Sequence, residues 1–139
     1  MKQTLFILFS FSILLTACKK GPGVGGKSKI TGTVWVENYN TLNNIYDTYY
    51  LKGEYAGADR DVFLVFGDDI SYGLKTKAGP DGKFEFDYLR AGTYTVYVQS
   101  KDTSRAYLTG TISPYKTVAV NVDLGKKETK DTDRMVIYQ

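Results

Sequence analysis

Residues 77–98, KAGPDGKFEFDYLRAGTYTVYV, constrain the fold more than any other stretch of the chain. Pro80 presets φ for the second position of a tight turn, Asp81 can hydrogen-bond nearby backbone, and Gly82 can adopt the left-handed conformation that closes such a turn. A β-hairpin is the predicted result. Past the turn, Phe84, Phe86 and Tyr88 alternate with Lys83, Glu85 and Asp87, the period of two required of a strand with one buried face. Leu89, Gly92 and Tyr94 then lead the chain into 93–98, a β-branched and aromatic run suited to a second strand.

The same alternation recurs on both sides of this stretch. Residues 29–37, KITGTVWVE, place Ile30, Val34 and Val36 on one face and Thr31, Thr33 and Trp35 on the other, which predicts the first strand. The run VFLVF at 62–66 is bounded by charged residues and glycine, as expected of a strand in the middle of a sandwich. Ile70, Tyr72 and Leu74 carry the next strand into the Pro80 turn. A weaker strand starts near Ala106, 117–124 alternates cleanly, 125–133 reads as a charged turn, and 135–138 returns as the last strand. There is no amphipathic helical segment and no internal repeat. The expectation is an all-β, antiparallel seven-stranded β-sandwich occupying residues 29–139 as one domain.

The N-terminus follows a different logic. Lys2, the apolar run 5–15 and the small residues before Cys18 read as a secretory signal over residues 1–17. The apolar run is too short to span a bilayer comfortably as a permanent helix. Cys18 is the single cysteine of the chain. Leu15-Thr16-Ala17-Cys18 resembles the lipobox of bacterial lipoproteins, which implies that Cys18 becomes a lipidated N-terminus. Several acyl chains would anchor the protein stably where one would not. Residues 18–28, rich in Gly and Lys, read as a flexible tether. Gly21 to Ser28 also matches G-x-x-x-x-G-K-S, but a phosphate-binding loop needs a preceding buried strand and a following helix, and neither is expected here.

Gly-Thr-Val at 32–34, Gly-Ala-Asp-Arg-Asp-Val-Phe-Leu at 57–64, Asp-Gly-Lys-Phe-Glu-Phe at 81–86 and Leu-Arg-Ala-Gly-Thr-Tyr-Thr-Val at 89–96 together resemble the carboxypeptidase regulatory-like domains. These are transthyretin-like (prealbumin-like) sandwiches related to Cna-B modules. The resemblance spans residues 30–101 and speaks for fold and hardly for activity. Many Cna-B modules carry an isopeptide staple promoted by a glutamate four residues after the corner tyrosine; here that position is Val98, which argues against the staple. Lipobox, short tether and one such domain also resemble small lipoproteins of gut Gram-negative bacteria. Lys19 in place of an aspartate implies the outer membrane, and the lack of acidic residues over 19–29 implies its periplasmic face.

With no histidine in the chain and its cysteine committed to lipid, the Ser-His-Asp, Cys-His and common zinc designs are excluded. Asp59, Asp61, Asp68, Asp69 and Glu85 leave a carboxylate glycosidase open in principle, although a strand over 62–66 would hold the two Asp pairs roughly 20 Å apart. Asp68 and Asp69 lack the acidic loop spacing of a calcium site. No cofactor, metal or nucleic acid is expected; lysines 126, 127 and 130 alternate with acids, and the net charge is only +3. The candidate binding residues are Tyr39, Tyr46, Tyr49, Tyr50 and Tyr55, in a tyrosine-rich excursion where aromatics could stack on sugars or cover a protein. The leading expectation is a non-enzymatic, lipid-anchored envelope module for a protein partner. A carbohydrate-binding lipoprotein using residues 39–55 is the alternative, and a carboxylate-dependent glycosidase the third reading.

Overall fold

The computed structural model describes residues 20–41, 49–100 and 116–138, with side chains described over 20–38, 53–100 and 117–138. Cys18, Tyr46 and the strand expected near Ala106 lie outside the described residues. Eight strands form two four-stranded sheets, with no helix among the described residues. They are β1 (Val24–Thr41), β2 (Tyr49–Ala56), β3 (Asp61–Phe66), β4 (Tyr72–Lys77), β5 (Lys83–Leu89), β6 (Gly92–Ser100), β7 (Lys116–Leu124) and β8 (Thr129–Tyr138).

The alternation read from the sequence becomes the core. Ile30, Val34, Val36, Phe84, Phe86, Met135 and Ile137 of the first sheet face Val62, Leu64, Tyr94, Val96, Val98, Val122 and Leu124 of the second, all buried. Each such side chain contributes about 1.5–3 kcal/mol by leaving water.

The first sheet is organised by β1, which uses both edges. One edge pairs in parallel with β8, from Lys29↔Thr129 to Glu37↔Tyr138. The other edge is shared: β5 pairs antiparallel with the first half of β1, up to Thr33↔Lys83, and β2 takes over from Trp35↔Ala56. Because β8 overlaps both, β5 and β2 must lie end to end on the opposite edge. They meet at Val34, whose N–H donates to the Gly82 carbonyl (2.8 Å) and whose carbonyl accepts from Gly57 N–H (2.9 Å). The second sheet runs β4-β3-β6-β7, antiparallel throughout.

Several expectations are corrected. There are eight strands among the described residues, not seven, and one pair is parallel. The Pro80-Asp81-Gly82 turn does not close a hairpin, since β4 pairs with β3 in one sheet and β5 with β1 in the other. The turn itself forms as read, with Gly82 N–H donating to the Gly79 carbonyl at 2.9 Å and Lys83 N–H to Asp81 Oδ1 at 3.1 Å. It is a crossing between sheets, and the Leu89 to Tyr94 corner crosses back. Ile70 is fully exposed in the β3–β4 turn and belongs to no strand.

A further correction concerns the glycine-rich stretch. From Gly21 onward it is part of the fold and not a tether. β1 begins at Val24, and Gly23 is held by the corner: Arg90 N–H donates to the Gly23 carbonyl at 2.8 Å, and Gly23 N–H donates to the Tyr94 hydroxyl at 2.8 Å. A Cβ on Gly26 would collide with the Leu89 backbone, so glycine serves close approach here. The Ser28 hydroxyl donates to the Gly125 carbonyl (2.7 Å) and accepts from Glu128 N–H, which leaves no phosphate-binding loop. The last strand likewise starts at Thr129, earlier than the charged turn suggested. It carries one extra residue between Asp131 and Arg134, with Asp133 at φ 59°.

Surface ion pairs give the fold a definite acid response. Arg134 and the Trp35 indole hold Glu54 below the ordinary carboxylate range, Lys83 does so for Asp81, Lys29 for Asp87, and the Gly125 N–H with Lys130 for Glu128. Carboxylates depressed by folding contribute stability above their unfolded pKa and lose it as pH falls through the folded one. Lys29, hydrogen-bonded to Glu85 and Asp87, and Lys83, hydrogen-bonded to Asp81, are raised, so their share is lost only when pH rises past the ordinary lysine value. All these groups are exposed, so the effect is small and salt-sensitive. The urea midpoint should fall modestly on moving from neutral pH to below the carboxylate range, and less so in high salt; an identical midpoint at both pH values refutes this.

Candidate functional site

At its described ends the tyrosine-rich excursion is a β-ribbon. Tyr39 registers with Leu51, Asn40 with Tyr50 and Thr41 with Tyr49, with a bulge next to Asn38. This end of the ribbon extends past Glu37, the last residue of β1 paired with β8. Tyr55 registers with Val36 and is partly exposed. The structure therefore brings Tyr39, Tyr49 and Tyr50 to one end of the ribbon and leaves Tyr55 nearer the body of the sheet.

A second set of aromatics, which the sequence reading did not single out, lies on the outer face of the second sheet. Phe63, Tyr97 and Tyr72 come from three adjacent strands. Phe63 and Tyr97 are direct cross-strand partners, stacked at 4.8 Å between ring centroids with planes 13° apart. Tyr72, 49% exposed, leans on Phe63 at 5.0 Å and 60°. Lys75 sits 5.4 Å from the Phe63 ring and pairs with Asp61 at 2.9 Å, completing the far side of the strip. Sequence gave a signal for this face: Phe63 alternates with Val62 and Leu64, and Tyr97 with Val96 and Val98, so one period-2 set had to face outward. In VFLVF the unbroken apolar run concealed it.

The strip continues into polar chemistry. Thr95, cross-strand partner of Val65, shares the outer face and donates its hydroxyl to Asn121 Oδ1 at 2.9 Å, leaving the amide NH₂ of Asn121 directed to other acceptors. Thr95 and Asn121 also border a depression of about 330 Å³ lined by Gly67, Asp68, Thr93 and Asp123. Tyr72, the exposed member of the strip, can stack on an apolar ring face while neighbouring hydroxyl, amide and carboxylate groups exchange hydrogen bonds with hydroxyls.

Trp35, on the outer face of the first sheet, is differently disposed. Trp35 carries the Arg134 guanidinium 4.3 Å from its ring, and both groups bond Glu54, at 3.1 Å from the indole Nε1 and 2.8 Å from Arg134 Nη2. One face of that indole is thus covered from within the protein.

The carboxylates do not assemble. Asp61 pairs with Lys75 and Glu85 with Lys29, while Asp68 and Asp69 lie in the β3–β4 turn beyond the opposite end of β3 from Asp59 and Asp61. No group of three or more His, Cys, Asp or Glu able to hold a metal occurs among the described residues.

No protein-family model and no curated protein matches the chain. Among solved structures, the chain is similar to a Pseudomonas aeruginosa protein described as a "putative carbohydrate binding protein", at 15% identity and a TM-score of 0.45, over 84% of this chain and 91% of that one.

Proposed function

We propose that this chain is a non-enzymatic binding module, anchored by lipid at Cys18 to the periplasmic face of the outer membrane, and that its ligand is a glycan held on the outer face of the second sheet. One observation carries this reading: Tyr72, Phe63 and Tyr97 form a strip on the face that also carries Thr95, and Thr95 borders a depression with Asn121, Asp68 and Asp123. Stacking surface and hydroxyl-directed groups then sit on rigid strands, which places them without an ordering cost on binding. The site replaces the tyrosine segment 39–55 as the proposed glycan contact.

Retention of the protein on immobilised envelope polysaccharides and peptidoglycan tests the reading. Tyr72→Ala should weaken retention about tenfold, equivalent to about 1.4 kcal/mol, while changing stability by less than about 1 kcal/mol, as expected for a half-exposed side chain. Retention unaffected by Tyr72→Ala, or absent on every glycan tried, defeats it.

A protein partner remains the second reading, and the β1–β2 ribbon favours it. Past Glu37 this two-stranded ribbon has backbone edges available for strand addition among the described residues. Crosslinking from ribbon positions to an envelope protein would select this reading over the first.

A further inference from the structure

A cluster of cations lies away from the aromatic strip. A groove of about 630 Å³ is bordered by Lys20, Lys27, Arg90, Lys126 and Lys127, with Gly26, Ser28, Leu89 and Ala91 completing it. Four separate segments supply these cations: the chain before β1, the bulge within β1, the β5–β6 corner and the β7–β8 turn. None of the five forms an ion pair among the described residues. The nearest carboxylate in sequence, Glu128, is occupied by Gly125 N–H (2.6 Å) and Lys130 (3.2 Å). Five unneutralised cations around one concavity raise the local concentration of anions.

Two further placements indicate which anion. Val24, 50% exposed, registers with the groove residue Leu89, and Tyr88, 76% exposed, immediately precedes it. Tyr88 is extruded by a bulge that places it at φ 57°. Exposed aliphatic and aromatic groups beside a basic concavity suit a membrane interface, where an aromatic ring sits at headgroup level and cations meet phosphates. Lys20 also lies two residues after Cys18 in the sequence, so any anchor there brings the groove to the bilayer.

We infer that this groove binds the phosphate headgroups of anionic lipids and seats the domain directly on the membrane surface. The inference rests on the membrane placement proposed above but not on lipidation itself. The full chain carrying Cys18→Ser should therefore partition more strongly to phosphatidylglycerol-containing vesicles than to pure phosphatidylcholine vesicles. The apolar N-terminal run meets both vesicles alike, so the ratio isolates the charged contact. Each cation near an anionic surface strengthens binding about fivefold. Lys126→Gln with Lys127→Gln should thus reduce the ratio about 25-fold, and Tyr88→Asn, which suits the left-handed backbone there, should weaken binding to anionic vesicles, both with an unchanged melting temperature. Lys75→Gln with Lys77→Gln, outside the groove, should leave the ratio nearly intact. Equal loss from that control pair, no preference for anionic vesicles, or equally tight binding of inorganic phosphate would overturn the inference. Mass spectrometry of the cellular protein reports separately on lipidation at Cys18, so failure of the anchor and failure of the groove are distinguishable.

Discussion

Gly82→Ala should lower stability by about 3 kcal/mol, and the melting temperature by roughly 10 °C. Gly82 has φ +77°, a conformation that costs an L-residue roughly 1–2 kcal/mol. A Cβ there would also collide with the Val34 carbonyl oxygen and approach the Gly57 nitrogen to 3.1 Å. Overpacking of that kind costs typically about 1–3 kcal/mol. The location sharpens the effect, because Val34 is where β1 passes from β5 to β2 and both neighbouring hydrogen bonds are backbone ones that cannot relocate. Ala at the nearby Gly79, where the closest atoms are 3.3 Å and 3.6 Å away, should cost much less. Thermal melts of the two variants decide the matter: equal losses would show that the turn moves freely and the junction is not rigid.

Tyr94→Phe should cost about 2 kcal/mol through a single oxygen atom. The Tyr94 hydroxyl donates to the Arg90 carbonyl at 2.7 Å and accepts from Gly23 N–H, while the ring is 1% exposed and meets Phe66 edge-on at 5.9 Å. Phenylalanine keeps the ring and strands those backbone partners, and an unsatisfied buried polar group costs about 1–3 kcal/mol. The loss should be uneven. Arg90 holds Gly21 and Gly23 from the same corner, so amide exchange at residues 23–28 should accelerate more than at β3 or β6. Uniform acceleration would show that the corner stabilises the domain as a whole and not the N-terminal segment in particular.

Period-2 alternation suffices for the cores of β1 and β7 and for Phe84 and Phe86 of β5, because burial of one face is a local property of each strand; it fails at Tyr88, which is 76% exposed while Leu89 takes the buried place. Pairing was not local. The Pro80 segment specifies a turn but not a hairpin, since whether β4 and β5 share a sheet depends on where β1 and β3 lie. Residues 125–133 concealed half of β8: only Thr132 is buried there, and the rest of the pairing is backbone to backbone. Glycine at 21–26 signals flexibility in composition, yet Gly23 and Gly26 serve close packing in three dimensions. The aromatic strip was legible in principle from Phe63 and Tyr97, whereas the basic groove was not, because its five cations come from four distant segments.

The parallel pairing of β1 with β8 also sets an order of events during synthesis. Lys29 and Thr129 are partners about a hundred residues apart, so one edge of the first strand stays vacant until β8 has been made. Contacts of such sequence separation form slowly, since the intervening chain must be closed into a loop before they stabilise anything. Until then the first sheet lacks one of its four strands. It also means that a chain cut short by even one strand leaves β1 with an open edge able to recruit another molecule. Docking of β8 thus closes the edge that the rest of the first sheet leaves open on β1.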